Sequence, residues 1–212
     1  MKNNTKKLVT SAMLIAIAVV LSLLTPFNLP FGGGITLASG LPIIIISFMF
    51  GTKFGLFSAF IYSLLQMVTG MNTVASFFLP GESQMVLWKA ITVCLLDYIL
   101  AYTVLGLGGI FKNRFKNNSV SIIIGTIFAI SLRYVIHIIS GAVFFGAWAE
   151  WFFTQDGFYK IGETILNTFS GTSLSVIYSI FYNGLYMIPE ILITAVIAPI
   201  VYKIINASKF SK

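Results

Sequence analysis

Four ionisable side chains lie in stretches of the sequence that are otherwise apolar. Asp97 follows CLL, Arg133 and His137 are four residues apart, and Glu190 follows YMIP. Charged groups are costly in hydrocarbon, so in a membrane they face a bundle interior or a cavity and have partners. Two carboxylates and one guanidinium leave one negative charge uncompensated if all are ionised. A buried carboxylate of this kind takes up a proton or awaits a cation, and nearby aromatic rings suit a small organic cation.

Other interpretations of these residues stay open on the sequence alone. Arg133 could pair with Glu190 or Asp97 in a buried polar network that only fixes helix packing. The four groups could also form a proton relay in a carrier that works without an ATPase. General acid–base chemistry is a further option, but one histidine and the lack of a clustered acid pair argue against an enzyme.

Helical spacing groups the polar residues on two faces. Positions i, i+3, i+4, i+7, i+8 and i+11 of a helix lie on one side. The first stripe consists of Arg133, His137, Ser140, Gly141 and Phe144. The second consists of Asn183, Tyr186 and Glu190, with Tyr178 and Tyr182 toward the outer end of the same helix. Counting about 1.5 Å per residue from the cytoplasmic end of each helix places Asp97 at nearly the same depth in the membrane as Arg133. We therefore expect the four ionisable groups to meet.

The elements that carry these residues are predicted to be transmembrane helices. Hydrophobic residues make up 58% of the 212 residues and charged residues 9%, against about 25% charged residues in soluble domains. Since a spanning helix needs about 20 apolar residues, the sequence predicts one all-α membrane domain over residues 1–212. The six predicted spans are Leu8–Leu24, Ile35–Phe50, Phe54–Thr69, Met85–Leu105, Val120–Phe145 and Leu174–Ile205.

The first two spans have special features. The first has a basic start, but its apolar run is long and no A-x-A cleavage site follows, so we interpret it as a retained helix rather than a signal peptide. The second is short and follows the glycine run 32–34, so part of it is expected to be irregular backbone that lines a cavity. Pro42 is expected to kink this helix.

The basic residues predict the orientation. With six spans both chain ends lie on one side, which holds ten of the 13 lysines and arginines and no acidic residue. Basic residues mark the cytoplasmic side, so both termini are predicted to be cytoplasmic. The net charge of +7 is then a topology signal, and no nucleic-acid partner is expected. The ten residues are Lys2, Lys6, Lys7, Lys53, Lys112, Arg114, Lys116, Lys203, Lys209 and Lys212.

The short motifs of P-loop nucleotide binding, of zinc peptidases and of serine hydrolases are missing from the sequence. It has no GxxxxGK[ST], HExxH or GxSxG. One cysteine, Cys94, and one histidine cannot form a disulfide or a zinc cluster. We therefore expect no cofactor, no metal site and no enzymatic activity.

Three long connections are predicted on the side opposite the termini: Thr25–Gly34, Gly70–Gln84 and Gly146–Ser173. Long outer loops are suited to forming a lid over a site. The third contains Trp148, Trp151, Phe152, Phe153 and Tyr159, which we interpret mainly as an aromatic belt at the membrane interface.

Two sequence patterns carry a family resemblance. Residues 133–146 read RY..H.ISGAVFFG and residues 178–189 read YS..YN..YM.P, and LLDY occurs at residues 95–98. Together with the first three spans, they resemble the ThiT/YuaJ family. Its members are thiamine-specific substrate-binding (S) components of energy-coupling factor (ECF) vitamin transporters. The resemblance covers nearly the whole chain.

The resemblance implies a function and partners. It implies an S-component-like bundle in a bacterial plasma membrane that binds thiamine with high affinity in an outward-facing pocket. Delivery across the membrane would need a transmembrane coupling protein and two ATPase subunits, which would supply the missing P-loop. An S component for another vitamin is the alternative, because one fold carries several ligands.

Residue by residue, the resemblance implies that Asp97, His137, Tyr178 and Asn183 contact the vitamin. Some family members carry tryptophans where this chain has the glycine run 32–34 and a phenylalanine, so the stacking partners are less well defined. The residues added to the predicted binding set are Phe145, Trp148, Tyr182, Arg133 and Glu190.

Ala12 and Ala16 form a small-xxx-small pair in the first span. Small residues let helices approach closely in lipid. Packing inside the chain is one interpretation of the pair. The resemblance favours a docking face for the coupling protein.

Overall fold

A computed structural model describes residues 2–29 and 33–207 of the chain. The predictions made for Gly32, Lys209 and Lys212 lie outside these residues. An antiparallel hairpin, β1 (Phe27–Asn28) and β2 (Gly34–Ile35), pairs Phe27 with Ile35. The helices are α1 (Lys2–Leu23), α2 (Leu41–Phe50), α3 (Thr52–Thr69), α4 (Met71–Ser76), α5 (Leu87–Val93), α6 (Ala101–Thr103), α7 (Asn118–Phe144), α8 (Ala149–Phe153), α9 (Tyr159–Thr168) and α10 (Gly171–Ala207).

Four helical stretches of the described residues are long and apolar enough to cross a membrane: Asn4–Leu23, Leu87–Gly109, Asn118–Phe144 and Gly171–Ala207. These stretches correspond to the predicted first, fourth, fifth and sixth spans, and they confirm a helical protein with several apolar helices. The predicted second and third spans correspond to α2, with 10 residues, and α3, with 18. The count of six spans therefore stays a prediction.

Contacts between helix ends show how the bundle is arranged. The Lys7 ammonium lies 3.8 Å from the centroid of the Phe54 ring, and the Phe48 and Tyr202 rings are 4.9 Å apart. The start of α1, the end of α2, the start of α3 and the last part of α10 are therefore at one end of the bundle. We call it the basic end, because Lys7 and Lys53 lie there. Its orientation relative to the membrane stays a prediction.

The chain leading into α2 is irregular, as predicted. Residues 36–40 form neither helix nor strand, and Thr36 and Ser39 line a cavity. The predicted kink at Pro42 is wrong. The helix begins at Leu41, so Pro42 occupies its first turn, where a missing backbone N–H breaks no helical hydrogen bond.

The fourth span changes its helix type along its length. Between α5 and α6 lies a π-helical segment, Cys94–Leu100, and after α6 a 3-10 segment, Val104–Gly109. The stretch therefore ends at Gly109 instead of the predicted Leu105. Its last turn packs closely on its neighbours, since the Gly109 N–H donates to Ser47 Oγ at 3.0 Å and a Cβ on Gly125 would overlap the carbonyl oxygen of Gly108.

The outer segment between α7 and α10 packs on the outer half of α10. The Phe152 ring lies 5.3 Å from that of Tyr178, and the Phe153 ring lies 5.8 Å from that of Phe181. Phe152 and Phe153 are 6% and 1% exposed. Their interpretation as interfacial belt residues is therefore wrong, since they form the core of this outer segment. Trp151 is 41% exposed, as a belt residue would be.

Candidate functional site

A cavity of about 260 Å³ lies at the end of the bundle opposite the basic end. Its wall is built by the hairpin, the chain leading into α2, and residues of α1, α3, the fourth span, α7 and α10. This volume is close to the lower limit of about 300 Å³ for small-molecule sites. The predicted site residues that line it are Asp97, Arg133, His137, Phe145, Tyr178, Tyr182 and Asn183.

A chain of hydrogen bonds links three polar side chains of this wall to the buried Ser140. Arg133 Nε donates to His137 Nε2 at 3.3 Å, and His137 Nδ1 lies 2.8 Å from Asp97 Oδ1. Ser140 Oγ donates to Asp97 Oδ2 at 2.7 Å. A guanidinium has donors only, so His137 Nε2 must accept. The imidazole proton is therefore on Nδ1, which donates to Asp97.

Arg133 is held from its other side by an aromatic ring. Its Cζ lies 4.1 Å from the centroid of the Tyr102 ring, a geometry that stabilises a cation. Among the described residues, Arg133 makes no direct ion pair with Asp97 or Glu190. The direct pairing considered from the sequence is thus not observed, and the His137 imidazole connects Arg133 to Asp97.

Asp97 lies about one helical turn farther from the basic end than the depth count predicted. It contacts His137 and Ser140 rather than Arg133. The reason is the shape of the fourth span, which continues to Gly109 and ends in a 3-10 segment. A 3-10 helix rises about 2.0 Å per residue, more than the about 1.5 Å of an α-helix, so a count at α-helical rise places Asp97 too near the basic end.

Asn183 links α10 to α7 by a hydrogen bond. Its Nδ2 donates to the carbonyl oxygens of Ser179 at 2.9 Å and His137 at 3.3 Å, while Tyr186 Oη donates to Asn183 Oδ1 at 2.6 Å. A Cβ on Gly141 would overlap the Ser179 hydroxyl. The missing side chain of Gly141 therefore lets α10 approach α7 closely.

The Tyr182 hydroxyl is a buried polar group behind the cavity wall. Tyr182 lines the cavity and is 8% exposed. Within the described part of the chain its hydroxyl has no hydrogen-bond partner.

Two predicted site residues do not line the cavity. Glu190 accepts bonds from Thr36 Oγ1 at 2.7 Å and from the Thr36 N–H at 3.0 Å, and it is 3% exposed. Its carboxylate holds the chain leading into α2 in place through these two bonds, but it is not itself part of the cavity lining. Trp148 lines a second cavity of about 570 Å³, which shares Phe145 with the first.

Sequence reasoning missed part of the cavity wall. The missed lining residues include Ser22, Gln66, Thr73, Phe77, Tyr98, Tyr102 and Tyr186. Gln66 could have been found from the sequence, because it is a polar residue in an otherwise apolar span. In the structure its Nε2 donates to Ser22 Oγ at 2.8 Å. Tyr186 was on the predicted stripe of α10 but was not assigned to the site.

Ala12 and Ala16 are exposed on α1, whereas Ser11 and Ala18 on the same helix are buried. Packing inside the chain, the alternative considered from the sequence, is therefore excluded for this pair. The surface is free for lipid or for another protein.

Comparisons with known proteins decide the family. A family model described as thiamine transporter protein (Thia_YuaJ) matches residues 8–151, which include Asp97, Arg133 and His137. The thiamine transporter ThiT of Bacillus subtilis (strain 168) is 30% identical over 202 residues, covering 90% of this chain and 87% of that protein. The chain belongs to the thiamine transporter family.

The fold of this thiamine transporter family member agrees with a solved relative. A structure of ThiT from Listeria monocytogenes matches it with a TM-score of 0.66 over 99% of this chain and 98% of that chain. The sequence identity is 19%, so the likeness shows a shared fold.

Proposed function

We propose that this chain is the S component of an ECF-type transporter and binds thiamine in the 260 Å³ cavity. The observation that carries the proposal is the hydrogen-bonded chain of Arg133, His137, Asp97 and Ser140. Its first three members line the cavity together with tyrosine rings. Thiamine joins a permanently cationic thiazolium to an aminopyrimidine. The Asp97 carboxylate and the tyrosine rings that line the same cavity suit both the thiazolium and the aminopyrimidine.

The Asp97 carboxylate has capacity for a ligand. Each of its oxygens accepts one hydrogen bond from the part of the chain that the structure describes, and each carboxylate oxygen can accept about two. One lone pair on each oxygen is thus left for an aminopyrimidine N–H or for attraction to the thiazolium.

The charges near the cavity also favour a cation. With Asp97 and Glu190 ionised and Arg133 charged, their formal sum is one negative charge. Thiamine would neutralise it. Buried charges are stable when they are compensated, so binding a cation removes an electrostatic cost that a neutral ligand would leave.

Transport requires energy that this chain does not supply by a P-loop. We assign ATP hydrolysis to two partner ATPase subunits and place the coupling protein on the exposed face of Ala12 and Ala16. In this arrangement six helices span the bacterial plasma membrane. The basic end is cytoplasmic, and the thiamine cavity faces outward.

Calorimetric titration of the purified protein tests the ligand. We expect saturable binding of one thiamine per chain and no measurable heat with riboflavin. Binding of riboflavin in place of thiamine would favour an S component for another vitamin.

A stand-alone proton-coupled thiamine carrier is the second candidate, because four hydrogen-bonded groups in a row also suit proton transfer. Reconstituted vesicles separate the two. We expect uptake of labelled thiamine only when the coupling protein and ATPases are present with ATP. Uptake driven by a proton gradient in vesicles that hold this chain alone would favour the carrier.

A further inference from the structure

The fourth span contacts α7 at two levels through side chains that line the thiamine cavity. Asp97 Oδ1 lies 2.8 Å from His137 Nδ1, and the centroid of the Tyr102 ring lies 4.1 Å from Arg133 Cζ. On α7 the two partners are four residues apart, but on the fourth span Asp97 and Tyr102 are five residues apart. Five residues of one helix therefore match four residues of the other.

A purely α-helical fourth span could not make both contacts. In an α-helix, residues four apart lie on one face, whereas residues five apart differ in direction by about 140°. The π segment, Cys94–Leu100, contains Asp97 and is followed by the Ala101 N–H, which donates to the carbonyl oxygen of Leu96, five residues back. A π-helix has this i to i+5 bonding and turns residues five apart toward a common side. Asp97 and Tyr102 can then both face α7.

The exposed side of the fourth span shows the same extra residue. Ile91, Leu95 and Leu100 are all exposed. The step from Ile91 to Leu95 is four residues, as in an α-helix, and the step from Leu95 to Leu100 is five residues. The π segment therefore contains one residue more than a regular helix would need between the same two faces.

Packing on both flanks explains why the helix widens at this place. Before the π segment, Val93 is buried in one cluster with Phe77. After it, the Gly109 N–H donates to Ser47 Oγ at 3.0 Å. Rotating either flank to take up the extra residue would break one of these contacts, so the extra residue stays between them.

We propose that the π segment is a positioning element of the thiamine site and that Tyr102 is a positioning residue, which acts on Asp97 through Arg133 and His137. The Tyr102 ring holds the guanidinium, which donates to His137 at 3.3 Å. A binding group is placed well when the side chains behind it are themselves fixed. The inference rests on the proposed binding of thiamine and adds what places the carboxylate that binds it.

Two single-residue deletions test the role of the π segment. Leu95 and Leu100 are exposed leucines of this segment on either side of Asp97, so deleting either one removes the extra residue and gives chains of the same length and composition. Without Leu100, Asp97 and Tyr102 are four residues apart and share one face of an α-helix. Without Leu95 they stay five residues apart, and Asp97 takes the position that Leu96 had.

The two deletions should therefore differ in binding. We expect the Kd for thiamine to stay within about threefold when Leu100 is deleted and to rise at least about tenfold when Leu95 is deleted. In ¹⁵N-histidine NMR without ligand, the Nδ1 signal of His137 should shift only in the Leu95 deletion, because Asp97 no longer accepts its proton. Tm is measured on the same samples.

A second pair of variants leaves the backbone unchanged. Tyr102→Leu removes the ring beside Arg133, so the Kd for thiamine should rise and the Nε2 signal of His137 should shift. Tyr102→Phe keeps the ring and its attraction for the guanidinium, so its effects on both measurements should be much smaller.

The inference is overturned if the Leu95 deletion keeps the Kd and the His137 signals of the unchanged protein. Equal losses of affinity in the two deletions at unchanged Tm would overturn it as well. If the Leu95 deletion does not fold, the Tyr102 variants decide, and His137 signals in Tyr102→Leu equal to those of the unchanged protein reject the positioning role. The NMR signals need no ligand, so the expected signals without any binding of thiamine would contradict the proposed function alone.

Discussion

His137 Nδ1 lies 2.8 Å from Asp97 Oδ1, across the contact between the fourth span and α7. The opposite ring nitrogen accepts a bond from Arg133 at 3.3 Å. Because Arg133 can only donate, the two contacts together fix both the orientation and the tautomer of the imidazole. The ring in turn holds one oxygen of the Asp97 carboxylate, while Ser140 holds the other.

This geometry predicts the protonation of the ring. The chain has a single histidine, so ¹⁵N-histidine labelling gives one unambiguous pair of ring signals in NMR. At neutral pH we expect Nδ1 to be protonated and Nε2 to be unprotonated. In Arg133→Met the donor to Nε2 is lost, but the Asp97 carboxylate still accepts from Nδ1, so Nδ1 should stay protonated and the Nε2 signal should shift. A protonated Nε2 in the unchanged protein would contradict the assigned bonds.

Glu190 is expected to act on thiamine binding through the hairpin. Glu190→Ala removes both bonds from Thr36, and hydrogen bonds to charged groups contribute about 1.5–3 kcal/mol. Residues 33–40 should exchange amide hydrogens faster, and thiamine should dissociate roughly tenfold faster.

Thr36→Val is the matched control for that variant. It removes the hydroxyl but keeps the backbone N–H bond to Glu190, so its effects should be smaller in the same direction. Unchanged exchange of residues 33–40 in Glu190→Ala would show that the carboxylate does not hold this segment.

The exposed alanines of α1 are expected to matter for transport and not for binding. Ala12→Trp or Ala16→Trp should leave thiamine affinity unchanged and abolish uptake by the full transporter, because a large ring blocks close helix contact. Ile17 is exposed on another side of α1, so Ile17→Trp should support normal uptake. Normal uptake with Trp at position 12 or 16 would rule out this docking face.

The close packing of α7 on the 3-10 segment predicts a loss of stability. In Gly125→Ala the new methyl group meets the carbonyl oxygen of Gly108, which is backbone and cannot turn away. Overpacking of this kind costs about 1–3 kcal/mol, and thermal unfolding in detergent should show a lower Tm. Gly157→Ala, where a Cβ meets nothing within 4 Å, should leave Tm unchanged. Equal Tm values for the two variants would contradict the packing.

The parts of the site that follow helical periodicity could be predicted from the sequence. Arg133, His137, Ser140 and Gly141 are all buried along one face of α7, as their spacing indicates. A regular helix of known direction is enough to place such residues on one side.

The pairing of these side chains could not be predicted, because it depends on the axial position of the fourth span. That position is set by a π-helical segment around Asp97 and a 3-10 end, and no residue pattern in the span marks either. The position of Glu190 depends on where the irregular chain before α2 places Thr36, which helical periodicity does not determine.

The central claim is that the Asp97 carboxylate binds thiamine in the cavity it shares with His137 and Asn183. Asp97→Asn keeps the size of the side chain and removes its charge, so the loss of a charge-assisted bond, worth about 1.5–3 kcal/mol, should weaken binding more than about tenfold. Asp156→Asn, on the exposed outer segment, is the matched control.

Isothermal titration calorimetry of the purified variants, with Tm measured on the same samples, tests the claim most directly. We expect an unchanged Tm for both variants and a Kd for thiamine that rises more than about tenfold in Asp97→Asn only. A Kd in Asp97→Asn equal to that of the unchanged protein would contradict the account, since the carboxylate would then have no part in holding the vitamin.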